Sequence, residues 1–248
     1  PVVDHELQGR VTGAEVDRWV HRKDRLAIKF TESLPAGATL QLMIDYRGAP
    51  STVHGIDGDA GWEELSDGVI VASQPHGAPS WFPCNDRCSD KATYRIRVTT
   101  DAAYTVVANG QLLSRTTRGR LATWTWEQPE PMAPYLATVQ IGVYAATSLP
   151  SPTTPVTIYH PTSIAARVAR GFGRQVEMLT FFESIFGPYP FATYDAVVTG
   201  DELEIPLESQ SLSTFGNNHA TTSWEAQRLI AHELSHQWFG NCVTVGQW

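Results

Sequence analysis

The spacing of apolar residues changes period across the connector Thr147-Ser148-Leu149-Pro150-Ser151-Pro152-Thr153-Thr154-Pro155, and that change sets what the chain can fold into. Before the connector the period is two. Tyr94, Ile96 and Val98 alternate with Arg95 and Arg97, placing apolar side chains on one strand face and guanidinium groups on the other. Residues 26–30 and 39–46, separated by Pro35-Ala36-Gly37, read as strands, as do residues 121–127 and 135–144. Asn109-Gly110 lies between the strand-like runs 104–108 and 111–113 and predicts a tight hairpin, because both residue types tolerate positive φ. Residues 156–159 read as one last strand. After residue 163 the period becomes helical: Ile164, Val168, Phe172, Val176, Leu179 and Phe182 or Phe186 recur at steps of three and four.

Gly187-Pro188-Tyr189-Pro190 stops that helix. A short strand at 195–199, an extended stretch at 203–213 and a loop through Gly216-Asn217-Asn218 follow. A second helix is expected from Ser223, capped by Thr222 or Ser223 with Glu225 as capping-box partner, and closed by Gly240-Asn241. No internal repeat is visible. The fold class is therefore α+β: an antiparallel β sandwich or saddle over residues 1–160, then the opening part of an α+β domain over residues 161–248.

Composition excludes several classes. With 18 Lys and Arg against 26 Asp and Glu, a net charge of −8 and no basic cluster, the chain offers no nucleic-acid surface. No apolar run is long enough to span a membrane. Three cysteines make no disulfide framework: Cys84 and Cys88 could pair only across a very short loop, leaving Cys242 over. Three reduced thiols in a cytoplasmic protein is the expectation. Pro1 follows no initiator Met and no signal peptide, so the sequence is expected to begin inside a longer gene product.

The chemistry is concentrated in His232-Glu233-Leu234-Ser235-His236. On a helix, residues four apart share a face, so both imidazoles reach one metal ion, and the Glu between them can act on a water at that ion. The competing reading is a capped surface helix that happens to carry two His. Leu229, Ile230, Leu234, Trp238 and Phe239 argue against it, because they make the helix apolar, and a buried His pair needs a partner. His5, His21, His54, His76, His160 and His219 are scattered through strands and loops and read as surface or structural residues.

The run His232-Glu233-Leu234-Ser235-His236-Gln237-Trp238-Phe239-Gly240-Asn241, continuing through Val243-Thr244 to Trp248, closely resembles the zinc-helix signature of the M1 aminopeptidase family. Trp81-Phe82-Pro83-Cys84-Asn85-Asp86, then Lys91-Ala92-Thr93-Tyr94, looks like the Pro-Cys-x-Asp segment of that family's N-terminal β domain. The resemblance implies a thermolysin-like catalytic domain after the β domain. It implies one Zn²⁺ per complete enzyme, with His232 and His236 as ligands and Glu233 as general base, and peptide substrates with a free N-terminus. The family's exopeptidase motif, usually Gly-Ala-Met-Glu-Asn, corresponds to Ile205-Pro206-Leu207-Glu208-Ser209. Only its Glu is kept, which makes Glu208 the candidate for binding the substrate's α-amino group. Glu202 and Glu204 are read as solvated loop charges. Gln74 aligns with the Gln or Glu that family members use near the substrate's N-terminus; a polar loop residue is the alternative.

The family's third zinc ligand, a Glu, and its oxyanion-stabilising Tyr fall past Trp248, and Tyr189 and Tyr194 come too early to replace that Tyr. The resemblance thus implies an interior segment of a longer enzyme, with weak or absent activity alone. Two other readings remain within it. One is the bifunctional epoxide hydrolase of the leukotriene A4 hydrolase branch, with which Gln74 and Cys84 are compatible. The other is a non-catalytic interaction module, against which the intact His232, Glu233 and His236 argue. Oligomeric state is left open.

Overall fold

The computed structural model describes residues 8–22, 25–56 and 58–247; His5 and Trp248 lie outside them. Two small antiparallel pairs come first, Gln8–Thr12 with Gln41–Asp45 and Val16–Arg22 with Arg25–Phe30. A five-stranded antiparallel sheet follows in the order Thr52–Gly55, Gly58–Glu64, Val69–Ala72, Val139–Gly142, Thr105–Ala108. A three-stranded antiparallel sheet has Leu121–Met132 between Gln111–Arg118 and Ala92–Asp101. Pro129 and Pro131 sit near the end of the central strand, Leu121–Met132, where its register against Ala92–Asp101 breaks, the place where a missing N–H is tolerated. Val71, Val106, Val107, Trp124 and Trp126 join these two sheets in one core, and the Trp126 indole donates to the Val106 carbonyl at 3.1 Å.

The Asn109-Gly110 turn is not the hairpin expected from its sequence. Thr105–Ala108 pairs in the five-stranded sheet and Gln111–Arg118 in the three-stranded one, so the turn is a corner between sheets. Tertiary partners take the place of hairpin bonds. The Asn109 side chain donates to the carbonyls of Leu136 (2.9 Å) and Gln210 (2.7 Å) and accepts from Thr138 N–H (2.7 Å). Gly110 has φ +83°, and a Cβ there would lie 1.9 Å from the Glu127 carbonyl oxygen, so only glycine fits.

The third sheet is mixed. Ala145–Leu149 pairs antiparallel with Val156–His160, which runs parallel to Tyr194–Val198, itself parallel to Leu212–Phe215. The Pro/Ser/Thr connector is therefore part strand, and the sheet straddles residue 160. The expected strand 135–144 is shorter: Pro134 opens a 3₁₀ turn, Pro134–Leu136, and the strand begins at Val139. Helices cover this sheet. The single helix expected from 163 is two, α1 (Ala165–Gly171) and α2 (Gln175–Phe186). They part where a Cβ on Gly171 would come within 2.9–3.2 Å of the Ala220–Thr221 backbone, and the break keeps the apolar phase. The motif helix is α3 (Trp224–Ser235). Val156, Ile158, Val168, Phe172, Leu179, Tyr194 and Phe215 form the core beneath the helices, with Ile230, Leu234 and Trp238 from the motif region. Each large apolar side chain so buried stabilises by about 1.5–3 kcal/mol.

Candidate metal centre and substrate cleft

Rotation of α3 about its axis decides where the motif points, and packing fixes it. Ser223 caps the helix, its Oγ accepting from Ala226 N–H at 3.2 Å, while Ile230 and Leu234 are fully buried against the mixed sheet. The carboxylate of Glu233 is then drawn inside, at 4% exposure, whereas His232 is exposed and His236 half-buried. Helical bonding continues past Ser235 in a tightened form. Gln237 N–H donates to Leu234 and Trp238 N–H to Ser235, and Gly240, at φ +122°, lets the chain fold back so that Asn241 N–H reaches the His236 carbonyl at 3.1 Å.

The two imidazoles converge. Their Nε2 atoms face each other 3.1 Å apart, and the ring planes are perpendicular. His236 Nδ1 lies 3.0 Å from the Phe239 carbonyl, which can only accept, so this nitrogen carries the proton and Nε2 presents a lone pair. Two nitrogens on one tetrahedral Zn²⁺ at about 2.05 Å stand ~3.3 Å apart, close to the separation seen. Ligand atoms of Glu208, Glu233 and His236 also lie within 4.8 Å of one another. The Glu208 and Glu233 carboxylates with the His236 imidazole, and His232 Nε2 beside that of His236, are a fitting donor set for a zinc ion.

The electrostatics agree. Burial, and then the neighbouring Glu208 carboxylate, push the Glu233 pKa up to about 8. A dication held beside these carboxylates opposes that push and favours the ionised base. Partial desolvation, followed by the adjacent His236, holds His232 below its ordinary pKa, keeping it in the neutral, ligating form.

Gln74 and Glu208, far apart in sequence, line one cleft with Ala72, Ser73, Tyr135, Leu136, Leu207 and Ser209. One wall comes from the β sandwich and the other from the segment before Leu212–Phe215. Glu202 and Glu204 are exposed, consistent with solvated charges. Tyr189 and Tyr194 are buried in the helical core, Tyr194 donating to Ser213 Oγ at 3.0 Å, and neither faces the cleft as an oxyanion donor would. Among the other described histidines, His54 pairs with Asp59, His76 bonds the Val53 carbonyl, and His160 and His219 are buried. The three cysteines are free thiols, and burial with Asp86 and Asp90 pushes Cys84 up to about 12. Among the described residues no helix is long and apolar enough to cross a membrane.

Sequence reasoning missed the residues that join the two walls. Tyr135 donates to the Gly240 carbonyl at 3.0 Å, and Lys91 Nζ donates to the carbonyls of Asn241 (3.0 Å) and Cys242 (2.9 Å). Ser211, at φ +61°, accepts from Gly110 N–H at 2.7 Å and donates to Gln128 Oε1 at 2.9 Å. Lys91 at least stood in a recognised segment; nothing local marks the others.

A β sandwich beside a mixed sheet, with paired imidazoles and a buried Glu on the helix that covers it, is the architecture of the two-domain metallopeptidases. Residues 5–136 match the family model of the peptidase M1 N-terminal domain, and residues 171–248 match that of the peptidase family M1 domain. The chain belongs to peptidase family M1. Aminopeptidase M1-A of Oryza sativa subsp. japonica is 26% identical over 98% of this chain and 29% of its own length. Endoplasmic reticulum aminopeptidase 1 of Homo sapiens is 26% identical over 92% of this chain and 26% of its own length. Among solved structures, a mutant M1 zinc metallopeptidase from Deinococcus radiodurans, bound to a Tyr-Ser-Ala substrate, superposes with a TM-score of 0.86. It is 28% identical over 98% of this chain and 56% of that one. The chain thus spans under a third of these curated relatives and just over half of that solved chain.

Proposed function

We propose that the protein carrying this chain is a zinc aminopeptidase, removing the N-terminal residue of peptides. The observation that carries the reading is the convergence of the His232 and His236 Nε2 atoms beside Glu233, with Glu208 close enough to share the site. His232 and His236 would hold the ion; when bound, it polarises the scissile carbonyl and acidifies a water. Glu233 takes a proton from the attacking water and passes it to the departing amine, so that the C–N bond breaks as the acyl carbon gains the hydroxyl. Glu208, in the cleft wall, receives the substrate's α-ammonium in a charge-assisted hydrogen bond. That contact limits cleavage to the first peptide bond. Gln74, across the same cleft, supplies an amide to the substrate's N-terminal end.

The resemblance supports a third ligand and an oxyanion-stabilising Tyr from polypeptide beyond Trp248. On that reading the 248 residues alone have weak or no activity and hold zinc loosely. The test is release of p-nitroaniline from amino-acid p-nitroanilides by the full-length protein. Release abolished by a chelator and restored by Zn²⁺ is the expected result; release that ignores the chelator, or none at all, contradicts the proposal.

A further inference from the structure

We infer that Asn241, assisted by Gln237, is a positioning residue that sets where the Glu208 carboxylate stands relative to the metal-binding histidines. The inference rests on the proposed role of Glu208 as the ammonium-binding group. Glu208 has little regular structure to hold it. Leu207 makes an isolated bridge to Thr214, and the regular strand begins only at Leu212. Side chains from the turn after α3 hold both ends of the intervening segment, and Asn109 Nδ2 holds the Gln210 carbonyl between them at 2.7 Å. Asn241 Nδ2 donates to the Glu208 carbonyl at 2.7 Å, and Asn241 N–H donates to the His236 carbonyl at 3.1 Å. One buried residue therefore links the peptide unit of a metal ligand to that of the amine anchor.

Gln237 fixes the far end of the segment. Its Oε1 accepts from Ser211 N–H at 2.7 Å, and its Nε2 donates to the Ser209 carbonyl at 3.3 Å and the Glu233 carbonyl at 3.4 Å. Both amides are 0% exposed, so no water replaces a lost bond without rearrangement. Lys91 Nζ holds the Asn241 carbonyl from the β sandwich, which keeps the linking residue itself in place. A segment tied at its ends and bare of ladder bonds between them places its side chain as accurately as those ties allow.

The test separates amine binding from metal binding with two probes on the zinc-loaded full-length protein. Leucine hydroxamate carries the α-ammonium; 4-methylpentanohydroxamate is the same molecule without it. The wild type should bind the first at least about tenfold more tightly, the scale of a charge-assisted hydrogen bond. Asn241→Ala should remove most of that preference while leaving the affinity of the amine-free probe within about twofold, as expected where only the anchor moves. Asn241→Ser, which keeps a shorter donor, should retain part of it. Added to Glu208→Gln, Asn241→Ala should cause no further loss of preference, because it acts through Glu208.

An unchanged preference in Asn241→Ala overturns the inference. So does an equal loss of affinity for both probes, or loss of all binding in both Asn241 variants, since the residue would then serve the fold and not the anchor. A wild type that binds both probes equally overturns the reading of Glu208, and this inference with it. A wild type that binds neither overturns the metal site itself.

Discussion

The Nε2 atoms of His232 and His236 stand 3.1 Å apart, and the far nitrogen of His236 is held by the Phe239 carbonyl at 3.0 Å. That orientation depends on Gly240. A Cβ there would lie 3.0 Å from His236 Nδ1, and the backbone is at φ +122°. Gly240→Ala is expected to destabilise by about 1–3 kcal/mol through backbone strain and to weaken zinc binding by roughly 10–100-fold through the displaced ring. Zinc titration against a competing chelator measures the second effect. Wild-type zinc affinity in the variant would show that the ring is held some other way.

Glu208 is assigned to the substrate and not to the chemical step. Glu208→Gln should therefore raise KM for an aminoacyl anilide more than it lowers kcat, with kcat/KM falling by roughly 10–100-fold, the worth of a hydrogen bond to a charged group. Steady-state kinetics decide it. A pure kcat loss would move Glu208 into the catalytic machinery.

Asp195 is a buried carboxyl in the centre of the mixed sheet, and burial, only partly offset by hydrogen bonds to Thr157, pushes its pKa up to about 8. Between the ordinary Asp range and about pH 8 the folded chain keeps a proton that the unfolded chain has released. Its contribution to stability is thus complete below about pH 4 and fades as pH rises through about 8, by at most about 1.4 kcal/mol per unit. Asp195→Asn should flatten this decline in denaturant unfolding measured from pH 5 to 8. Parallel profiles for the two proteins would refute the assignment.

Ser211 makes an unusual comparison possible. Replacing it with Ala or Gly removes the same two hydrogen bonds, to Gly110 N–H and Gln128, but only Gly relieves the left-handed backbone at φ +61°. Ser211→Ala should be less stable than Ser211→Gly by about 1 kcal/mol, the reverse of the order expected in extended or helical backbone. Thermal or denaturant unfolding of both variants checks the sign.

What could be read from the sequence was whatever local spacing determines. The alternation at Tyr94, Ile96 and Val98 gave a strand, and Ser223 ahead of an apolar helix gave a cap and a motif face. Long-range partners defeated the same reasoning elsewhere. Asn109-Gly110 has hairpin chemistry, but its amide groups bond to Leu136, Gln210 and Thr138, so its flanking strands go to different sheets. The break between α1 and α2 was invisible because the apolar residues stay in phase across it. At the site, His232, Glu233 and His236 follow from helical spacing, whereas Glu208 and Gln74 needed the family resemblance. The ties made by Ser211 and Asn241 span a β sandwich, a sheet and a helix terminus, and no window of sequence contains all three.

In the proposed function Glu233 acts as the base at a zinc ion held by His232 and His236. Glu233→Gln in the full-length protein tests it most directly, because the amide keeps the volume of the side chain and removes only its capacity to take a proton. The expected result is one zinc per chain, as in the wild type, with kcat on an aminoacyl anilide reduced by roughly 10²–10⁴-fold. A zinc-loaded Glu233→Gln protein with wild-type turnover would contradict it.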